Sequence, residues 1–452
     1  MTRTLIRGAC IVTLDEILGD LARGDLLVEG ERIAAIGPNV EAGAAQVVDG
    51  SGCIVIPGLV NAHMHTWQTA LRGVASNWTL LEYFRKMHAG LATLFTPDDL
   101  YIATLVGALN QLNCGTTTLG DWCHNNPTPE HNDAALRALA ESGIRAVFLH
   151  GTPKPDPKPG ERPFWEIPHP AQELRRLQSH WLPGRPLLSI GAAILGPHYS
   201  TLDVARADFR MARDLGVIAS MHQGGGPPRA PDGWQRLEED GLLGDHVNIV
   251  HGHALGDEQL RRFVALGISF SVAPENEMIQ GHGHPITGRL LALGTAPSLG
   301  VDLESTVSGE MLMQARIALN LQRSLDNVAY RARHATIPPT STIDARQALQ
   351  WATREGARAL QLDDRVGSLA PGKQADLVVI DARALNMQPV FDPVAAVVLQ
   401  ASLANVRDVM VAGAWRKRDG RLLRDGLDRN LQHLGESGRR VAAALGLRAG
   451  AS

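Results

Sequence analysis

Long hydrophobic runs are missing from this chain of 452 residues. The uninterrupted apolar stretches, such as Val394–Leu399 and Val441–Leu447, are less than half of the roughly 18–20 residues that a membrane helix needs, so no span is expected. An excess of one charge is missing too. The 43 basic and 47 acidic residues nearly cancel to a net −4 and are interspersed, which leaves no footprint for nucleic acid or an anionic membrane surface and makes a small molecule the expected partner. Cysteine is scarce: Cys10, Cys53, Cys114 and Cys123 lack CxxC spacing, which argues against a disulfide framework and against a thiolate metal site. The N-terminal apolar patch runs into Asp15 and Glu16 without a small-residue cleavage site, so the protein is read as cytoplasmic. Aromatic residues make up only 4%. What the chain does have is 44% hydrophobic residues, enough for a large core, and 17 histidines, the commonest metal-ligating side chain.

Both ends read as short strands punctuated by turns. Thr4–Ile11, Asp25–Glu29, Arg32–Ile36 and Gln46–Asp49 lie at the start, and Ala375–Ile380 and Val406–Val411 near the end. The middle alternates apolar runs with helical patterns such as Pro97–Leu112, Asn132–Ser142, Leu202–Leu215 and Asp257–Leu266. Eight predicted strands, Gly58–Ala62, Thr116–Leu119, Arg145–Leu149, Leu187–Ala193, Val217–Ser220, Val247–Val250, Ile268–Ala273 and Ser298–Val301, point to an α/β fold of the (β/α)8 TIM-barrel type. The expected organisation is a barrel over 57–364, a small β-sandwich domain formed by both termini (1–56 plus 365–420), and a helical C-terminal tail over 421–452. The Pro-rich stretch Thr152–Gly160 reads as a long surface loop or lid.

In a barrel of this kind the site gathers at the C-terminal ends of the strands. The first predicted strand ends in His63-Met-His65, and residues at i and i+2 of a strand share a face, so both imidazoles can bind one ion. The fifth runs into His222, the sixth into His251-Gly-His253 and the eighth into Asp302. Polar groups closing apolar strands need buried partners if they are mere packing, and several together argue for a site.

Three stretches carry a resemblance: Pro57-Gly-Leu-Val-Asn-Ala-His-Met-His65, Cys114-Gly-Thr-Thr-Thr118, and the run from Val366 to Val379 containing Pro371-Gly-Lys-Gln-Ala-Asp376. With these, the chain resembles the amidohydrolase superfamily, in the branch of cytosine-deaminase-like enzymes and the s-triazine and adenosyl-nucleoside deaminases and chlorohydrolases. The resemblance implies His63, His65, His222 and Asp302 as metal ligands, with His251 beside the attacking water and Asp302 accepting its proton. Two-metal members carry a bridging lysine at the end of the fourth strand. This chain has Ile190-Gly-Ala-Ala-Ile-Leu there, so one divalent ion is expected, Zn first and Fe as the alternative. Relatives are often dimers, which makes a homodimer the expected assembly.

The chain also departs from the family pattern. Ring-deaminating relatives place a glutamate three residues after the fifth-strand histidine, where this chain has Gly225. Glu277, after the seventh strand, is a candidate general acid/base in its stead; the alternative is that it caps a turn or pairs with an arginine. Gln68, Trp122, His124 and His198 follow strand ends and are candidate substrate contacts. The implied activity is metal-dependent hydrolysis of a C–N or C–halogen bond in a planar, nitrogenous substrate, with deamination first. The alternatives are a dechlorinase or amide hydrolase of the same fold, or a non-hydrolytic metal-binding member or lyase.

Overall fold

The computed structural model describes residues 2–447. Eight parallel strands, Leu59–Met64, Thr116–Cys123, Arg145–Gly151, Leu188–Ala193, Ala219–Gln223, Val247–His251, Ser269–Val272 and Ser298–Leu299, follow one another in spatial order as in sequence. Helices alternate with them. The loop between the last strand and the first closes the ring by bridging rather than by a full ladder: the Asp302 amide donates to the His63 carbonyl (3.0 Å) and the His65 amide to the Asp302 carbonyl (2.8 Å). Gly300 permits this approach, because a Cβ there would stand 2.5 Å from the His63 carbonyl oxygen.

The first three barrel strands are buried along their whole length, as expected for a parallel sheet covered on both faces. Val60, Ala62, Val147, Leu149 and Ile218 form an apolar plug with Leu360 and Val366 beneath the site, while the larger core lies between strands and helices. The long helix Pro97–Asn113 starts where Thr96 and Asp99 satisfy each other's backbone amides in a capping box. Helix Pro129–Ser142 starts three residues earlier than the periodicity suggests, because Pro129 fits the first helical turn.

The terminal strands form the second sheet. Arg3–Ile11, Leu21–Glu29, Arg32–Gly37, Gln46–Asp49 and Cys53–Pro57 join Leu377–Asp381, Val406–Val411, Ala414–Arg418 and Arg421–Leu422. The two ends meet where Cys53–Pro57 pairs antiparallel with Leu377–Asp381. The first strand is paired with Gln46–Asp49 over Thr4–Arg7 and with the Cys53–Pro57 strand over Cys10–Ile11. Between these stretches lies Gly8, at φ +73°. The sheet is thus continuous in its hydrogen bonds, and it encloses its own core of Ile6, Ile11, Val28, Val55, Leu377 and Met410. Arg145, fully buried at the start of the third barrel strand, ties sheet to barrel through a two-pronged pair with Asp376 (3.0 and 2.8 Å).

Two features of the C-terminal region differ from the sequence reading. Arg421–Leu422 still belongs to the sheet, pairing with Lys417 and Arg418, so the helix begins at Leu427 rather than 421. Helix Leu427–Ala442 is docked, not free. Ser437 donates to Asp99 (2.6 Å), Arg440 pairs with the same carboxylate, and Gly438 passes so close to Ala70 that a Cβ would lie 2.2 Å from its carbonyl oxygen. Residues 448–452 of the expected tail lie outside the described residues. No helix is long and apolar enough to cross a membrane among the described residues.

Candidate active site

Four side chains from the first, fifth and eighth strand ends converge at the mouth of the barrel. One ligand atom each of His63, His65, His222 and Asp302 lies within 4.8 Å of all the others, the one such group among the described residues. Three separations are tighter: His63 Nε2 to Asp302 Oδ1 and His65 Nε2 to Asp302 Oδ1 at 3.3 Å, and His63 Nε2 to His222 Nε2 at 3.2 Å. Metal–nitrogen and metal–oxygen bonds of about 2.0–2.1 Å in a tetrahedron require donor–donor edges of about 3.3 Å, so these spacings fit a divalent ion.

Protonation favours the same use. Burial pulls the His63 imidazole down to about 4 and holds His222 well below the ordinary range, leaving both neutral at pH 7 with lone pairs to offer. Burial works against charge on Asp302 too, but the His63 and His65 imidazoles against it outweigh burial and hold the carboxyl well below the usual carboxylate range. The His65 ring is oriented from behind, its Nδ1 lying 2.5 Å from the Trp122 carbonyl oxygen, which as acceptor leaves Nε2 for the cluster. Asn276 donates to Asp302 Oδ2 at 2.7 Å. His251 (φ +69°) and Asp302 (φ +65°) are both left-handed, a conformation rare for residues with a Cβ and concentrated at functional sites.

His251 stands beside the cluster, its Nε2 3.7 Å from Asp302 Oδ2. Its Nδ1 is 2.9 Å from Glu277 Oε1, which also accepts the Ala273 amide at 2.9 Å. Burial disfavours charge on His251, yet the hydrogen bond to Glu277 and the charge of Asp302 prevail and raise its pKa. This corrects the position expected for Glu277. It does not line the cavity in front of the cluster; it lies buried against His251 Nδ1.

The cavity itself is small, about 30 Å³, and is lined by His65, Tyr83, His124, Lys154, Tyr199 and His282 among others. Of the expected substrate contacts, His124 lines it, stacked on His65 with ring centroids 4.1 Å apart. The other three are turned elsewhere. Gln68 is consumed by Tyr83 (2.6 Å) and Ser305 (2.7 Å), because it sits in the buried 3-10 turn Thr66–Leu71. Trp122 points into the apolar plug and donates to Ser220 (3.1 Å), supporting His222 from below. His198 bonds Gln223 and the Gly225 carbonyl oxygen, both at 3.2 Å. Gly225 is exposed and has nothing within 4 Å of where a Cβ would be.

The structure adds cavity residues that sequence reasoning passed over. Tyr83, Phe84 and His88 come from the segment between the first strand and helix Pro97–Asn113, which carries no strand-end signal. Lys154 comes from the Pro-rich stretch. His282 packs with its ring centroid 4.5 Å from that of His251, and burial drives its pKa down to about 3.

Residues 54–416 match the model of the amidohydrolase family. The chain belongs to the amidohydrolase family. Its curated relatives match over nearly full length. An 8-oxoguanine deaminase of Pseudomonas aeruginosa is 32% identical, covering 95% of this chain and 96% of that one. A 5-methylthioadenosine/S-adenosylhomocysteine deaminase of Syntrophobacter fumaroxidans is 27% identical over the same shares. Among solved structures, an atrazine chlorohydrolase of Arthrobacter aurescens complexed with zinc superposes with a TM-score of 0.83 at 22% identity, covering 96% of this chain and 100% of that one. An adenosine deaminase of Xanthomonas campestris with bound zinc gives 0.84 at 23%, with 98% and 99% covered. These two likenesses establish the shared fold. This amidohydrolase is a hydrolase acting on carbon–nitrogen bonds other than peptide bonds.

Proposed function

We propose that this amidohydrolase is a mononuclear, zinc-dependent aminohydrolase that replaces an exocyclic amino group of a small planar heterocycle by oxygen, releasing ammonia. Iron is the alternative metal. The supporting observation is the convergence of His63, His65, His222 and Asp302 at metal-ligand distances with the His251–Glu277 pair beside them. Curated relatives named as deaminases favour deamination within the hydrolase class.

A divalent ion, when bound, supplies Lewis acidity that brings the pKa of a coordinated water from about 15.7 to about 7. The side chains do the rest. Asp302, its Oδ2 fixed by Asn276, takes the proton from the attacking water. His251, held by Glu277, presents Nε2 to the reacting atoms and stabilises charge that develops on them. His124, stacked on His65, offers a flat face at the cavity wall. One water adds at the ring carbon, the C–N bond breaks, and ammonia departs with the proton that passed through Asp302.

Gly225, exposed and without a carboxylate, favours one second reading, loss of a halide that needs no protonation. We also propose a cytoplasmic homodimer as the working form, to be checked by light scattering of the purified protein. The functional test is metal analysis followed by a panel of 8-oxoguanine, methylthioadenosine, cytosine, amino-s-triazines and chloro-s-triazines, read for ammonia and chloride. One zinc per chain with ammonia release is the expected result. Chloride without ammonia supports the halide reading, and a zinc-loaded, folded protein inert throughout overturns both.

A further inference from the structure

Lys154 is placed by a rigid piece of chain. It sits between Pro153 and Pro155, in a stretch without helix or strand. Proline fixes its own φ and bars the preceding residue from the helical region, so the segment is held extended. Its ends are tethered: Thr152 and His150 both bond His169 (3.3 and 2.9 Å), and farther on the Trp165 carbonyl accepts the Thr201 amide (3.1 Å) while Arg229 stacks on the Trp165 ring at 3.7 Å. The Pro-rich stretch is thus tethered on both sides at the barrel mouth: Thr152, Pro153 and Lys154 are half-buried, while residues 155–162 run exposed over the surface.

The lysine points inward from this strap. Its ammonium lies 5.5 Å from the ring centres of both Trp122 and Tyr199 and lines the cavity with His65, His222 and Asp302. Among the described residues it forms no ion pair and no hydrogen bond; two aromatic faces are what it touches. An ammonium has three protons to donate and nothing to accept with, so a ligand acceptor in the cavity would find a donor that no protein group has claimed. Burial lowers its pKa to about 8 against the opposing pull of Asp302. Asp302 is the one carboxylate in the lining. With a divalent ion held, the charges facing the cavity sum to a positive field.

We infer that Lys154 is a specificity-determining residue that binds an anionic oxygen or ring nitrogen of the substrate, which makes the substrate an acidic oxo-heterocycle bearing an amino group rather than a neutral nucleoside. The inference rests on the heterocycle aminohydrolase reading and deepens it.

The test uses two rings of the same size, barbiturate, an anion at neutral pH, and uracil, neutral at that pH, titrated by calorimetry into zinc-loaded wild-type protein, K154M and K154Q. Zinc content and melting temperature accompany each variant. Wild type is expected to bind barbiturate about tenfold or more tightly than uracil, the scale of one charge-assisted hydrogen bond. In both variants that ratio falls toward one, and K154R restores part of it. Equal affinities in wild type, a preference that survives in K154M and K154Q, or no binding of either ring overturns the inference. Neither ring needs turning over. A protein that selects barbiturate through Lys154 but releases no ammonia from any amino-heterocycle refutes the deaminase reading alone, and one that deaminates yet ignores charge refutes this inference alone.

Discussion

Replacing Glu277 with Gln isolates what its charge does for His251. The carboxylate oxygen that accepts from His251 Nδ1 and from the Ala273 amide has a counterpart in the glutamine carbonyl, so both hydrogen bonds persist at their 2.9 Å spacing while the negative charge is lost. A hydrogen bond to a charged partner is worth about 1.5–3 kcal/mol against about 1 for a neutral one, and partners that orient reacting or ligating groups usually cost 10- to 100-fold when altered. The expected result is a 10- to 100-fold fall in kcat, with KM within a few-fold. Zinc content should be unchanged, because Glu277 contacts none of the four clustered groups. Glu277→Ala should lose more and lower the melting temperature too, since it leaves the Ala273 amide buried without an acceptor. Kinetics on the best substrate of the panel, zinc analysis and thermal melts of the two variants decide it. Wild-type kcat in Glu277→Gln refutes the pairing argument. A large rise in KM with kcat intact would put Glu277 against the substrate, and loss of zinc would make it part of the metal cradle.

Asp302→Asn and His222→Ala should each leave a folded protein that retains less than a tenth of the wild-type zinc after dialysis, as measured by mass spectrometry, because the first replaces the one anionic donor by a neutral amide and the second removes one donor of four. Arg145→Met strands the buried Asp376 carboxylate and should destabilise by about 3–5 kcal/mol in urea unfolding, with much of that recovered in Arg145→Met/Asp376→Leu. Asp208 is buried against the His169 amide, and burial raises its pKa to about 7 from 3.8. The folded state therefore holds this proton more tightly than the unfolded chain does. Its contribution to stability is full below about pH 4 and is lost as pH rises through about 7, by up to about 4 kcal/mol. Asp208→Asn should flatten that decline in melts recorded between pH 4 and pH 8.

The barrel was legible because its strands are buried on both faces and therefore read as apolar runs, each closed by one polar residue. That rule located His63, His65, His222, His251 and Asp302 without any geometry, since the C-terminal ends of eight neighbouring strands must lie on one rim. The strand ends themselves ran later than predicted, to Met64, Cys123 and His251, because polar residues such as His63, Asp121 and His251 continue the strand instead of leaving it. The eighth strand ran shorter, at Ser298–Leu299, because Gly300 turns the chain against His63. Nothing in local propensity encodes that approach.

What stayed hidden are side chains whose direction is set by long-range contacts. Gln68 and Trp122 occupy strand-end positions as suitable as that of His124, yet Gln68 is claimed by Tyr83 and Ser305 and Trp122 by the plug below His222. Glu277 lies 26 residues after His251, and only the packing of helix Pro274–Gln280 shows that it stands behind the imidazole. Lys154 was masked by its own surroundings, since four prolines alternating with polar residues read as solvent-exposed chain, as residues 155–160 are, while Lys154 alone of the stretch lines the cavity at the cluster. A segment so stiff has little conformational entropy left to lose on docking, which is the property a strap across a site requires. The alternation that suggested a free loop is therefore the physical reason a single lysine can be held over the metal-binding cluster without a carboxylate to anchor it.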